Sequence, residues 1–302
     1  MLYVSQTLEG DRKMDRNIRR LPLLFLGAAL FHAPSAWAAF DISFDYTYDS
    51  NNFFADSTRK SILESAAGYF ESIIKDDLLA IESSGVNNFT ASFFNPSNPN
   101  DTVTISNFDV AADTITIFVG STQLGNSTLG LGGYGGYSVS GTSTFVDNAI
   151  TRGETPTTSG VRGATATDFA LWGGSISFNI GANWYFDADP STNESFNGYD
   201  FYSVALHEIG HVLGIGMADS WDNKVNGSNQ FTGTNAVAAY GAPVPLNPTG
   251  GHWADGTQST VDGAPQEAAM DPTISSGTRK QFTELDVAAL EDIGWETSSA
   301  SP

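Results

Sequence analysis

The chain has 302 residues, with 13 Lys and Arg against 34 Asp and Glu and a net charge of −21. Its 40% hydrophobic and 12% aromatic content supplies a sizeable core and excludes a disordered chain. So acidic a protein is repelled by nucleic acid and anionic membranes, and the absence of cysteine excludes disulfides, a thiol nucleophile and thiolate metal sites. At the N-terminus, Arg16, Arg19 and Arg20 precede an apolar run, Leu21 to Leu30, and then the small-x-small site Ala36-Trp37-Ala38. That layout predicts a secretory signal peptide over residues 1–38, cleaved after Ala38, with Met14 as a second candidate start. The apolar run is too short to span a bilayer. The expectation is a secreted protein, extracellular or periplasmic, with no membrane anchor.

Residues 40–48 alternate apolar and polar and predict a strand. From Ser57 to Ser83 the period becomes helical, with Ile62, Ala66, Tyr69, Phe70, Ile73 and Leu78 near one face and Gly85 as the stop. A stretch rich in Gly, Ser, Thr and Asn follows, to about residue 198. Strand-like runs within it are Phe89–Phe94, Thr102–Phe108, Thr114–Val119 and Gly174–Ile180. A second helix is predicted from Asp200 to Leu213. Residues 215–280 read as mostly irregular. A last helix follows Thr283, with Asp286 completing an imperfect capping box. The sum is one α+β domain.

Two motifs carry little weight. Gly130-Leu-Gly-Gly-Tyr-Gly135 matches G-x-G-x-x-G, but Tyr137-Ser-Val-Ser-Gly-Thr cannot open the phosphate-binding helix that a dinucleotide site needs. A flexible surface loop is expected there. Asp187-Ala-Asp189-Pro-Ser-Thr-Asn193-Glu194 is a dense set of hard oxygen ligands and a candidate for Ca²⁺. It fails the EF-hand pattern at Thr192 and Gly198, and a solvated acidic loop is the simpler reading.

The informative segment is His207-Glu208-Ile209-Gly210-His211-Val212-Leu213-Gly214. Residues i and i+4 share a helix face, so His207 and His211 can grip one Zn²⁺ while Glu208 handles the proton of a metal-activated water. A hydrolytic zinc site needs a third protein ligand and an open position. Beyond the predicted signal only three histidines remain, so His252, in Gly250-Gly-His-Trp253, is the expected third ligand. Asp219 and Glu267 are its chemically acceptable rivals.

His207-Glu208-x-x-His211-x-x-Gly214 resembles the opening of the metzincin zinc-binding motif. Most metzincins place the third ligand three residues after that glycine, where this chain has Met217. Leishmanolysin-like metzincins place it after a long insertion, and His252 followed by Gln266-Glu-Ala-Ala-Met270-Asp-Pro272 resembles that arrangement. Met270 would be the Met-turn methionine, and Gly214 would allow the reversal from an upper part, about 39–214, to a lower part, about 215–302. Gly174–Asn179 and Trp184–Asp187 resemble the strand and loop before the active-site helix, and Phe282–Trp295 the closing helix. Pro272 stands where some metzincins have an assisting Tyr. The resemblance implies a zincin fold: a twisted mixed sheet with the active-site helix, above a small irregular lower part ending in a helix.

The expected function is that of a secreted zinc endopeptidase of the small bacterial type. His207, His211 and His252 are the ligands and Glu208 is the general base. Its partner would be a protein or peptide substrate, and the chain reads as a monomer. Two alternatives remain: a non-catalytic adhesin or matrix-binding module with a structural metal, and a zinc hydrolase of a non-peptide bond.

Overall fold

A computed structural model describes residues 39–125, 127–154, 170–192 and 194–298. The predicted signal peptide and its cleavage site therefore lie outside the described residues. In chain order the main elements are β1 (Asp41–Asp45), α1 (Ser57–Ile73), β2 (Asn88–Asn95), β3 (Asn98–Ser106), β4 (Thr114–Thr122), β5 (Gly130–Tyr134) and β6 (Gly136–Ser140). There follow α2 (Ser143–Thr151), β7 (Gly173–Asn179), α3 (Phe201–Val212), α4 (Asp219–Asp222), α5 (Thr234–Tyr240) and α6 (Glu284–Ile293).

Four strands form a mixed sheet in the order β1-β4-β7-β5. β1, β4 and β7 are parallel, and β5 joins antiparallel to β7 at the edge. One face packs on α1 and α3, through Ile115, Ile117, Val119, Ile176 and Phe178. The other meets an antiparallel sheet, β3-β2-β6, through Phe118, Phe93, Phe89 and Trp172, where Phe93 and Phe118 stack at 4.1 Å. Covered on both faces, β7 is buried at every residue. This is the mixed-sheet α+β architecture expected. The segment after α3 carries the short helices and hairpins of the lower part and ends in α6.

Three expectations need correction. The first helix ends at Ile73, not Ser83. Beyond it the chain pairs with distant segments: Lys75 N–H donates to Glu296 O, and Ile81 bridges Val110. Long-range pairing thus outcompetes the helical pattern. Gly130–Gly135 is not a surface loop; Gly130–Tyr134 is the edge strand β5, hydrogen-bonded to β7 and packed on α3. Its glycines are needed because a Cβ at Gly130 would lie 2.4 Å from Glu208 Oε1, and one at Gly132 would lie 2.4 Å from the Glu208 carbonyl. Finally, α2 was hidden in a Ser- and Asn-rich run. Thr142 caps it, and Phe145 and Ala149 bury its inner face. Arg152 ends it in a left-handed conformation. The buried guanidinium donates to the carbonyls of Leu79, Ala111, Thr114 and Leu171.

Candidate metal centre

Helix α3 starts at Asp200, whose carboxylate accepts from Ser203 N–H at 3.1 Å and Ser203 Oγ–H at 2.6 Å. Ala205, Leu206, Ile209 and Val212 are buried and seat the helix on the sheet and α1. That fixes the opposite face, carrying His207, Gly210 and His211, toward the lower part. Gly210 is required there: a Cβ would lie 2.6 Å from the sulfur of Met270, which is fully buried against the helix. At the helix end Gly214 takes φ 111° and Gly216 φ 75°, a backbone that reverses the chain.

The reversal and the Asn247–Trp253 turn bring His252 to the helical pair. His211 Nε2 lies 3.0 Å from both His207 Nε2 and His252 Nε2, and the last two are 3.2 Å apart. Asp219, exposed in the first turn of α4, and Glu267, paired at 2.8 Å with Lys280, are not in this cluster.

The far ring nitrogens say what the near ones can do. His207 Nδ1–H donates to Ala269 O at 2.7 Å and His211 Nδ1–H to Ile215 O at 2.8 Å; His252 Nδ1 faces the Asn247 carboxamide at 3.3 Å. In His207 and His211, protons committed to those carbonyls leave Nε2 lone pairs turned toward each other and toward His252 Nε2, an arrangement a shared cation makes favourable. Burial holds all three imidazoles below their ordinary pKa, His207 down to about 3, so added protons are not that cation at neutral pH. Three neutral imidazoles at this spacing fit zinc, whose Zn–N bonds are about 2.0–2.1 Å.

Glu208 is 5% exposed and lines the same cavity, of about 630 Å³, as the three histidines. Burial raises its pKa to about 8, opposed by a hydrogen bond from the Gly132 backbone. A divalent cation beside it favours the carboxylate instead.

A model of the matrixin family, a metzincin family, matches residues 145–224. That segment is similar to the metzincin family. It spans α2 through α4 and includes His207–Gly214, whereas His252 lies beyond it. No curated protein and no solved structure matches the chain. The metzincin match implies zinc and, with it, a metalloprotease in general terms.

Sequence reading noticed Asp286 only as a helix cap. The structure gives this fully buried carboxylate five donors. Oδ1 accepts from Trp253 Nε1 at 2.8 Å and Met270 N at 3.2 Å; Oδ2 accepts from Ala269 N, Thr283 N and Thr283 Oγ at 2.7–2.9 Å. It therefore holds the residue after His252, the carbonyl that orients His207, and the Met270 turn. We expect Asp286→Ala to lower the stability of the metal-free protein by more than about 3 kcal/mol, since several buried donors lose their acceptor. Zinc affinity should fall about 10–100-fold, as for other lost outer-shell partners. Urea unfolding and a competitive zinc titration read the two effects separately.

Nothing supports calcium at the acidic loop, of which Asn193 lies outside the described residues. The Asp187 carboxylate is paired at 2.7 Å with Arg279, which also pairs with Asp200 at 3.0 Å and donates to the carbonyls of Pro190 and Thr192. A guanidinium from 92 residues away supplies the cation for this loop. Glu194 binds Tyr185 Oη–H and Thr192 Oγ–H.

Proposed function

We propose that the protein is a secreted zinc-dependent endopeptidase, with residues 1–38 as its signal peptide and residues 39–302 as one catalytic domain. His207, His211 and His252 are the metal ligands and Met270 the apolar floor beside them. Zinc at such a site supplies Lewis acidity toward water and the scissile carbonyl. Glu208 takes the proton from the attacking water on its carboxylate and returns it to the leaving amine. Another wall of the cavity is the strand β5, whose outer backbone groups have no strand partner among the described residues. An extended peptide can add to such an edge, its main chain held by hydrogen bonds and its scissile bond beside Glu208.

The observation that carries this reading is the convergence of three Nε2 atoms within 3.2 Å beside a buried carboxylate that no metal ligation requires. That carboxylate argues against an adhesin with a structural metal. The unpaired strand edge in the same cavity favours a peptide over other hydrolysable substrates. The test is casein digestion by protein of known zinc content. One zinc per chain, loss of digestion on chelation and recovery on adding zinc are the expected results. A fully zinc-loaded protein that leaves casein and unfolded peptides intact is not an endopeptidase.

A further inference from the structure

Residues 271–280 carry the chain from the Met270 turn back to the start of α3. Pro272, Thr273 and Ile274 line the cavity, as do Tyr199, Ser203 and Val204, which precede His207. Asp271 and Lys280 are buried, but Pro272, Thr273 and residues 275–277 between them are exposed. Apart from Ile274, which packs on the core, this loop is fixed by polar contacts at its two ends.

The first end is held within the lower part. Asp271 accepts from Gly256 N–H at 2.6 Å, and Lys280 Nζ–H donates to Thr273 O at 2.7 Å. The second end is held to α3 and the segment before it. Gly277 N–H donates to Gly198 O at 2.8 Å, and Lys280 N–H to Ser203 Oγ at 2.8 Å. Arg279 adds the charged part. Its Nε and Nη2 form a fork on the two oxygens of Asp200, at 3.0 Å each. Nη2 also reaches Asp187 at 2.7 Å, and Nη1 donates to the carbonyls of Pro190 and Thr192 at 3.0 and 2.9 Å. Every N–H of the guanidinium thus has an acceptor. Asp200 is fully buried and caps α3, so the fork joins the cleft loop to the start of the helix that carries His207, Glu208 and His211.

We propose that Arg279 is a positioning residue for substrate selection, locking the 272–278 loop to the Asp200 cap and so fixing the shape of the cleft there. The task needs a planar fork. A lysine at 279 has three donors on a point charge and cannot hold both Asp200 oxygens, Asp187 and two carbonyls at once. The reacting groups do not depend on the lock, because His207 is oriented by Ala269 O and His211 by Ile215 O. Its loss therefore alters how well a substrate side chain fits, and leaves the chemistry on a well-fitting substrate nearly unchanged. This inference rests on the peptidase reading of the site.

Two variants test it. Arg279→Lys keeps a cation beside the two buried carboxylates. A triple variant, Arg279→Gln with Asp187→Asn and Asp200→Asn, removes the cation together with both anions and keeps a good helix cap. Zinc-loaded forms are compared on fluorogenic peptides in which the residue on each side of the cut is varied from Ala to Leu to Phe. Wild type should discriminate about tenfold or more in kcat/KM at one of the two positions, the scale of fit in an apolar pocket. In both variants that ratio should shrink to about threefold or less through KM, with kcat on the best peptide within about twofold of wild type. Hydrogen exchange reads the lock without hydrolysis: the amides of Gly277 and Lys280 should exchange faster in the variants, and those of His207–Val212 should not. Unchanged discrimination in both variants overturns the proposal and leaves the peptidase reading standing. So does a loss confined to kcat, which would place the effect on the reacting groups. Zinc-loaded wild type that cleaves no peptide overturns the peptidase reading and the selection role with it.

Discussion

His252→Ala is expected to lose zinc and, with it, all peptidase activity. The other two imidazoles sit on one helix turn, and among the described residues only the Asn247–Trp253 turn presents a third nitrogen, within 3.0–3.2 Å of both. Two protein ligands do not make a zinc site of the hydrolytic kind. Affinity should fall by more than about 100-fold, beyond the loss typical of an outer-shell change. Three controls give the result its meaning. Met217→Leu should retain stoichiometric zinc, because a thioether suits softer metals and Met217 contacts Gly133 rather than the triad. Asp219→Ala and Glu267→Ala should also retain it, since neither carboxylate reaches the histidines. Zinc analysis after gel filtration decides the matter: full occupancy in His252→Ala with loss in either carboxylate variant would transfer the ligand role.

Replacing Glu208 by Ala should separate binding from chemistry. Zinc stays stoichiometric, because the carboxylate is not among the converging nitrogens. The fold stays intact, because the group removed is a buried carboxylate whose ionised form burial disfavours. Yet kcat/KM should drop about 10²–10⁴-fold, the scale of a lost general base. Retained zinc, an unchanged melting temperature and casein digestion near the wild-type rate would together show that another group moves the proton.

Much of the site could be read from spacing alone. The i, i+4 histidines and the intervening glutamate depend only on helix geometry, and the scarcity of histidine narrowed the third ligand to His252 and two carboxylates. What escaped notice was tertiary in origin. β5 looked like a loop because glycines make poor strands, and the reason for them is Glu208, which lies 78 residues from Gly130 in the chain. Asp286 looked like an ordinary cap until its donors proved to come from the Met270 turn and Trp253. The acidic loop near Asp187 read as a solvated loop with calcium as a lesser candidate, and its pairing with Arg279, 92 residues away, was invisible in the sequence. The end of α1 was misjudged for the same reason: its competitor, the 296–298 segment, lies more than two hundred residues away.

The glycines of β5 have a consequence for anyone wishing to retarget the protein. A wall made of Gly130, Leu131 and Gly132 offers little to randomise, because a Cβ at 130 would meet the Glu208 carboxylate and one at 132 the Glu208 backbone carbonyl. Selectivity for side chains is better written at other cavity-lining positions such as Pro272 and Ile274, which are not among the converging ligand residues. A combinatorial library confined to those positions should yield variants that differ in cleavage pattern while keeping zinc. One directed at the glycines should yield mostly inactive clones.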